Sequence, residues 1–201
     1  MRKSTLLAFI IAVNNMLMPS VVEAPAVPNY RLSHYGTNSG SGGFIDHFVS
    51  EKKASDLLNY KTYNFNNDND EVLLARMIFG EGESLSKAEK IEIAYTAIHR
   101  VKEGYGKSLK EVLLNPYQYS CFNEGTDSSI FLKDPLNHNP KEFFASLEVS
   151  EGILSGKIKD TEDRATFYYD PMVVSKPKWA NGLEKISRPG FHHRFYRKIK
   201  H

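Results

Sequence analysis

Residues Leu74 to Glu81 read LARMIFGE and set one acid at the end of an apolar, helix-forming run. Met77 and Ile78 precede the acid at helical spacing, so a helix places them on the same face as Glu81. Burial against apolar side chains disfavours the charged form of a carboxyl group, which suits a general acid. Glycines flank Glu81 on both sides, and we expect them to end the helix and to open space for a ligand. The alternative at this point is a solvated glutamate at a frayed helix end.

The composition is that of a soluble globular protein, with 25% charged residues and a formal net charge of +2. Basic residues gather near the C-terminus, where Glu184 is the only acid after Lys176. A basic end favours an anionic partner such as nucleic acid, a lipid surface or an acidic wall polymer. No nucleic-acid-binding motif accompanies it, so we do not expect nucleic acid as a partner.

Residues 1–26 have the form of an export signal. Arg2 and Lys3 make a positive start, the apolar core runs from Thr5 to Val13, and Ala24 to Ala26 form an A-x-A site. We expect cleavage after that site; an uncleaved N-terminal anchor is the alternative. The apolar core is too short for an ordinary membrane span. The sequence therefore predicts an exported protein of the periplasm, cell envelope or medium, which meets the membrane only through this segment.

The segment 27–68 is predicted to be a linker or a weakly ordered approach to the domain. Its run 36–43 is rich in glycine and serine, and 64–70 is polar. Between them, 44–60 carries enough apolar residues for one short helix that packs on the domain. The domain proper is predicted to span 69–201.

Helical spacing predicts four helices in that domain. The first covers about 70–80, the third 108–114 and the fourth 141–154. The second begins at Ser86, where S-x-x-E fits a capping box, and ends at the glycines after residue 103. Its expected apolar face is formed by Ile91, Ala94, Tyr95, Ile98 and Val101.

The C-terminal part lacks the helical periodicity of the preceding residues. Residues 165–169 read ATFYY, which is typical of a short strand, and 186–196 mix aromatic and basic residues without helical periodicity. The sequence thus predicts an α+β domain with a mostly helical body and a small β region toward the C-terminus. Cys121 is the only cysteine. Its aromatic neighbours favour a packed, inert thiol over a nucleophile or an intermolecular bridge.

Four segments occur in an order that is shared with one family. They are the alanine-arginine to glycine-glutamate run 75–81, the triplet 99–101, the glutamine-aromatic-serine element 117–123, and the aromatic strand, tryptophan and His-x-Phe-Tyr ending within 165–196. Together they resemble the spore cortex-lytic, cell wall hydrolase family over roughly 71–197. The resemblance implies a lysozyme-like fold and cleavage of peptidoglycan between N-acetylmuramic acid and N-acetylglucosamine.

The resemblance also implies that Glu81 is the catalytic acid. A lytic transglycosylase needs one carboxyl group, which protonates the glycosidic oxygen and then takes a proton from the muramoyl 6-hydroxyl. A glycoside hydrolase of the usual kind needs two. Glu83, Asp127 and Asp170 are the alternatives for a second acid. The sequence supplies one well-placed glutamate and no obvious partner, which mildly favours the transglycosylase reaction. Leu85 stands where the family often has another glutamate, and this is a departure from the family's pattern.

The remaining motif residues suit sugar binding through polar groups and flat aromatic faces. About half of the aromatic residues of a strand point inward, so core packing is the alternative for each of them. The candidate substrate-binding residues are Gln118, Tyr119, Ser120, Asn123, Tyr168, Tyr169, Trp179, His193 and Tyr196.

Two rival functions remain open in the sequence. A non-catalytic peptidoglycan-binding or virion-structural protein could keep the fold without turnover. A metal hydrolase would need ligands such as His99, His192 and His193, but no H-E-x-x-H or comparable spacing is present. His99 also replaces the family's asparagine. We therefore expect no cofactor and no metal, a monomer, and peptidoglycan glycan strands as the partner.

Overall fold

The computed structural model describes residues 60–199. The predicted export signal and most of the predicted linker lie outside the described residues. The described part contains six α-helices and three β-strands. Their bounds are α1 Asp70–Gly82, α2 Lys87–Lys102, α3 Leu109–Leu114, α4 Asp127–Lys133, α5 Pro135–His138, α6 Pro140–Leu154, β1 Phe167–Tyr169, β2 Glu184–Ile186 and β3 Arg194–Arg197.

The four predicted helices are confirmed as α1, α2, α3 and α6. Each begins at a residue whose side chain accepts a hydrogen bond from a backbone N–H of the first turn, which is how such caps stabilise a helix start. These caps are Asn69, Ser86, Ser108 and Asn139. The first helix continues past the predicted end at residue 80, so Glu81 stands in its last turn.

Helix α1 is the centre of the body and packs against α6 and α2. Every residue from Leu73 to Gly80 is buried, including the charged Arg76. A helix that is apolar on all sides belongs in the middle of a domain, and each fully buried leucine, isoleucine or phenylalanine contributes about 1.5–3 kcal/mol. The position of α1 therefore fixes where Glu81 emerges from the core.

A buried ion pair connects residues 60–68 to α1. The Arg76 guanidinium donates to the Asp68 carboxylate at 2.7 Å and to the Tyr60 carbonyl at 2.7 Å. It also donates to the carbonyl of Leu132 on α4. Residues 60–68, which the sequence assigns to the linker, thus pack on the helical body, and the boundary at residue 69 stays a prediction.

The predicted apolar face of α2 is wrong in part. Ile91, Ile98 and Val101 are only half-buried, while a polar face of the same helix is buried. Most of these side chains bond to the C-terminal segment, and Lys90 pairs with Glu142 of α6. This pairing offsets the cost of burying them. The buried polar residues of α2 are Glu89, Lys90, Glu92, Thr96, His99 and Arg100.

The three strands form an antiparallel sheet in the order β1-β3-β2. Tyr168, Phe195 and Ile186 lie side by side and share one face, which packs on the helical core. Tyr169 and Tyr196 belong to the opposite face because neighbours along a strand alternate. The predicted α+β class, with a helical body and a small C-terminal β region, is confirmed. None of the helices in residues 60–199 has the length and apolar character to span a bilayer.

Candidate functional site

The carboxylate of Glu81 is held by three donors from two distant parts of the chain. Its Oε1 accepts from the Ser120 hydroxyl and from the Cys121 backbone N–H, each at 3.2 Å. Its Oε2 accepts from the Tyr168 hydroxyl at 3.0 Å. The side chain is half-buried, so it remains within reach of a ligand. The structure thus brings together three of the predicted site residues: Glu81, Ser120 and Tyr168.

Gly80 allows this approach. A Cβ atom at this position would lie 2.6 Å from the Cβ of Cys121, closer than packed atoms come. The short 3₁₀ turn Ser120–Phe122 therefore fits against α1 only because residue 80 has no side chain. The expectation that Gly80 opens space for a ligand is wrong, because Cys121 fills that space.

The two ionisable neighbours of Glu81 stay protonated at neutral pH. Burial raises the pKa of Tyr168 well above its ordinary value, and the charge of Glu81 raises it further. Burial and the same charge also raise the pKa of the Cys121 thiol well above its ordinary value. Tyr168 is therefore a permanent hydroxyl donor. Cys121 is not a thiolate nucleophile, in agreement with the predicted inert thiol.

Behind Tyr168 lies a second carboxylate, that of Glu89, which the sequence alone predicts only as part of the capping box at Ser86. Glu89 is 1% exposed, and its Oε1 accepts from both the backbone N–H and Nδ1 of His193, each at 2.8 Å. The His193 ring meets the Tyr168 ring edge-on, with 5.2 Å between the ring centroids. The S-x-x-E pattern around Ser86 gave no sign that Glu89 would turn toward a histidine far along the chain.

Arg100 joins the loop that precedes Ser120 to the start of the sheet. Its guanidinium donates to the carbonyl of Thr166 at 2.7 Å and to that of Gln118 at 3.1 Å. It also stacks 4.7 Å from the ring centroid of Tyr119. Tyr119 is 2% exposed and offers no face to a sugar, so it is a core residue rather than the predicted substrate platform.

Gln118 and Asn123 lie in the same loop. Gln118 is half-buried, and its backbone carbonyl accepts a hydrogen bond from Arg100. The side-chain oxygen of Asn123 accepts from the backbone N–H of Tyr117 at 3.2 Å. Tyr117 has a φ of 65°, and this hydrogen bond supports its left-handed backbone.

Three predicted sugar-binding aromatics lie away from Glu81. Tyr169, Trp179 and Tyr196 pack together on the face of the sheet opposite Tyr168, with Trp179 6.0 Å from Tyr169 and 5.6 Å from Tyr196 between ring centroids. Burial, with the adjacent Tyr169 hydroxyl, raises the pKa of Tyr196 to about 12. These residues form a small second core, so the structure does not bring them into the site.

Two of the alternative acids, Glu83 and Asp170, have other partners. Glu83 accepts from the side chain of Asn139 at 2.6 Å and lies 3.2 Å from the His138 ring nitrogen. Asp170 accepts from the backbone N–H of Met172 at 2.7 Å and so closes its own turn. Asp127 is the first residue of α4. Neither Glu83 nor Asp170 shares a hydrogen-bond partner with Glu81 in the described part of the chain.

The three histidines that a metal hydrolase would need as ligands do not form one site. His99 is buried, with Nδ1 donating to the carbonyl of Ala165 at 2.8 Å and Nε2 2.9 Å from Asp160. His193 is bonded to Glu89, and His192 is exposed. Within residues 60–199 no group of three or more metal-ligating side chains is arranged to hold an ion.

One family of known proteins matches the region that contains most of these residues. A family model described as Cell Wall Hydrolase matches residues 84–196, more than half of the chain. The chain belongs to the cell wall hydrolase family. Membership supports an enzyme that hydrolyses peptidoglycan.

The matched region of this cell wall hydrolase includes Glu89, Ser120, Tyr168 and His193, but it begins after Glu81. The role of Glu81 therefore rests on the contacts described above. No curated protein and no solved structure matches the chain. The lysozyme-like character of the fold stays a prediction.

Proposed function

We propose that this cell wall hydrolase cleaves the glycan strands of peptidoglycan between N-acetylmuramic acid and N-acetylglucosamine, with Glu81 as the catalytic acid. The observation that carries the proposal is the half-buried Glu81 carboxylate at the end of a buried helix, with donors converging on it from Ser120, Cys121 and Tyr168. Such convergence holds a carboxyl group in one orientation, as proton transfer to a bound substrate requires.

The three donors also favour the first step. When Glu81 gives its proton to the glycosidic oxygen, a negative charge develops on its carboxylate. The hydroxyls of Ser120 and Tyr168 and the N–H of Cys121 already point at that charge and stabilise it. Because the pKa of Tyr168 is raised well above its ordinary value, its hydroxyl keeps its proton throughout the reaction.

We further propose that the reaction is that of a lytic transglycosylase. The Glu81 carboxylate formed in the first step takes the proton of the muramoyl 6-hydroxyl, whose oxygen closes a ring on the anomeric carbon. One carboxyl group suffices for both steps, whereas usual glycoside hydrolases use a pair. The partners of Glu83 and Asp170 support this choice, because each carboxylate has another role.

Mass spectrometry of fragments released from purified sacculi tests the reaction type. Anhydromuropeptides support the transglycosylase, since only ring closure by the 6-hydroxyl produces them. Reducing ends that incorporate label from isotopic water would show hydrolysis instead. Sacculi that bind the protein and release no fragment would favour the non-catalytic wall-binding or virion-structural alternative.

We also propose that the protein is exported through residues 1–26 and acts as a monomer. Export follows from the substrate, which lies outside the cytoplasmic membrane, and from the form of the N-terminal segment. Intact mass spectrometry of the secreted chain tests cleavage after Ala26. Sedimentation equilibrium tests the monomer; a mass twice that of the chain would contradict it.

A further inference from the structure

A buried carboxylate lies one side chain away from Tyr168 and has no role in the proposed proton transfers. Glu89 stands in the first turn of α2 and is 1% exposed. Burial of an ionised carboxylate is costly unless hydrogen bonds compensate for the lost water. Three donors provide this compensation, and all of them come from one short segment near the C-terminus.

The three donors to Glu89 belong to two adjacent histidines. Its Oε2 accepts from the backbone N–H of His192 at 3.1 Å, and its Oε1 accepts from the backbone N–H of His193 at 2.8 Å. Oε1 also accepts from Nδ1 of the His193 ring at 2.8 Å. An ionised carboxylate can only accept, so Nδ1 carries the hydrogen of this bond. Glu89 thus fixes both the backbone of His193 and the orientation of its ring.

The ring of His193 packs in turn on Tyr168. Phe195 pairs with Tyr168 across the sheet, and His193 precedes Phe195 by two residues, so all three side chains share one sheet face. The His193 and Tyr168 rings meet edge-on, with 5.2 Å between centroids and an interplanar angle of 84°. The Tyr168 hydroxyl donates to Oε2 of Glu81 at 3.0 Å. A shift of the His193 ring would therefore let the Tyr168 hydroxyl move away from Glu81.

We propose that Glu89 is a positioning residue for the cleavage reaction: through His193 it holds the Tyr168 ring where the hydroxyl donates to Glu81. This inference rests on the proposed function, because it takes Glu81 as the catalytic acid. Loss of the positioning weakens a hydrogen bond to the carboxylate that forms as Glu81 gives up its proton. Glu89 therefore acts on kcat and not on KM, and His193 acts through Tyr168 rather than on the substrate.

Two variants test the pair from either side. Glu89→Gln deprives one of the three N–H donors of its acceptor, because the amide nitrogen cannot accept. His193→Asn keeps a side-chain N–H at the place of Nδ1, and so keeps the bond to Glu89, but removes the ring from Tyr168. Each variant should lower kcat for fragment release from soluble glycan strands by roughly 10-fold with KM unchanged, within the loss expected for one hydrogen bond to a charged group. An unchanged kcat in His193→Asn would overturn the proposal.

A double-mutant cycle shows whether Glu89 acts through Tyr168. In a Tyr168→Phe background no hydroxyl remains to be positioned, so the addition of Glu89→Gln or His193→Asn should cause no further loss of kcat. If the losses multiply in the double variants, Glu89 acts by another route, such as the stability of the fold or contact with the substrate. That result would overturn the proposal.

Glu92→Gln is the matched control. Glu92 is a second buried acid of α2, 4% exposed, and it accepts from Arg188 of the same C-terminal segment at 3.1 Å. The variant weakens the attachment of that segment to α2 without touching His193. Its urea midpoint should fall, while its kcat should remain that of the wild type. A fall in kcat as large as that of Glu89→Gln would assign the effect to the segment as a whole and overturn the proposal.

The hydroxyl can also be followed without turnover. In protein that carries ¹³C at tyrosine Cζ, the NMR signal of Tyr168 is the one lost in Tyr168→Phe, and its shift reports the hydrogen bond of the hydroxyl. The signal should move in Glu89→Gln and in His193→Asn and stay in place in Glu92→Gln. If the wild type cleaves no glycan but the signal moves in this way, the proposed function fails and the link from Glu89 to Tyr168 stands. If the wild type cleaves glycan but the signal does not move, only the positioning proposal fails.

Discussion

At the residue scale, the Tyr168 hydroxyl is the contact of Glu81 that can be removed with least disturbance. Tyr168→Phe keeps the ring against His193 and Phe195 and deletes the donor to Glu81. A hydrogen bond to a charged group is worth about 1.5–3 kcal/mol, so the rate of fragment release should fall by roughly 10- to 100-fold. The circular dichroism spectrum should remain that of the wild type.

Tyr169→Phe is the control for that variant. It deletes a hydroxyl from the next residue of the same strand, on the face that packs with Trp179 and away from Glu81. Its rate should equal that of the wild type. A loss as large as that of Tyr168→Phe would mean that the hydroxyls act through the stability of the strand.

Of the candidate site residues that the sequence predicts, those around Glu81 are in contact and several others are not. Glu81, Ser120 and Tyr168 were all predicted site residues, and they are in contact. Tyr169 was predicted with them because the run ATFYY does not reveal which alternate residues face the helices. That choice depends on how β1 pairs with β3, and pairing register is a tertiary property.

At the element scale, the close contact between α1 and the 3₁₀ turn Ser120–Phe122 places two donors on Glu81. Gly80→Ala introduces a Cβ 2.6 Å from that of Cys121, so one of the two segments must shift. Overpacking of this kind costs about 1–3 kcal/mol. Urea titration should show that loss of stability. The rate of fragment release should also fall, because the shift moves the Cys121 N–H away from the Glu81 carboxylate.

Gly182→Ala is the matched control, since a Cβ there meets no atom within 4 Å. Its stability and activity should be those of the wild type. Wild-type stability and activity in Gly80→Ala would show that the turn adjusts without cost, and would remove the packing explanation for this glycine.

Elements with strong local signals were predictable, and those without them were not. The caps Asn69, Ser86, Ser108 and Asn139 begin helices whose periodicity is clear. Helices α4 and α5 are short, and α5 begins at a proline, so they lack a periodic pattern long enough to recognise. The buried face of α2 was missed because Glu89, His99 and Arg100 read as solvent-facing until their distant partners are known.

At the scale of the whole molecule, Arg76 connects the N-terminal segment, α1 and α4 through one buried group. Arg76→Met leaves the Asp68 carboxylate buried without its cation, which should lower the free energy of unfolding by about 3–5 kcal/mol. Lys87→Met breaks the exposed pair with Glu148 and should cost less than about 1 kcal/mol. Equal urea midpoints for the two variants would contradict this difference.

Asp160 makes the stability of the folded protein depend on pH in the acid range. Burial alone would raise its pKa, but hydrogen bonds from His99, the Glu162 N–H and Lys102 outweigh burial and hold the pKa of Asp160 below its ordinary value. A carboxylate with a lowered folded-state pKa contributes stability above its unfolded value of about 3.9. That contribution is lost as the pH falls through the lower folded value.

Asp160→Asn should therefore be less stable than the wild type at pH 7 and should lose less further stability on acidification to pH 3. Urea midpoints at the two pH values measure this. Glu124→Gln, which alters an exposed acid elsewhere, should keep the pH profile of the wild type. The same pH profile in Asp160→Asn and the wild type would show that other acids govern the acid response.

The most direct measurement compares Glu81→Gln with Glu83→Gln on purified sacculi. Both variants replace a half-buried glutamate at the C-terminal end of α1 by its neutral isostere, but only Glu81 accepts from Ser120, Cys121 and Tyr168. Fragment release should fall by about 10²- to 10⁴-fold in Glu81→Gln, the usual contribution of a general acid, and stay at the wild-type rate in Glu83→Gln. Undiminished release by Glu81→Gln, or an equal loss in Glu83→Gln, would contradict the assignment of Glu81 as the catalytic acid.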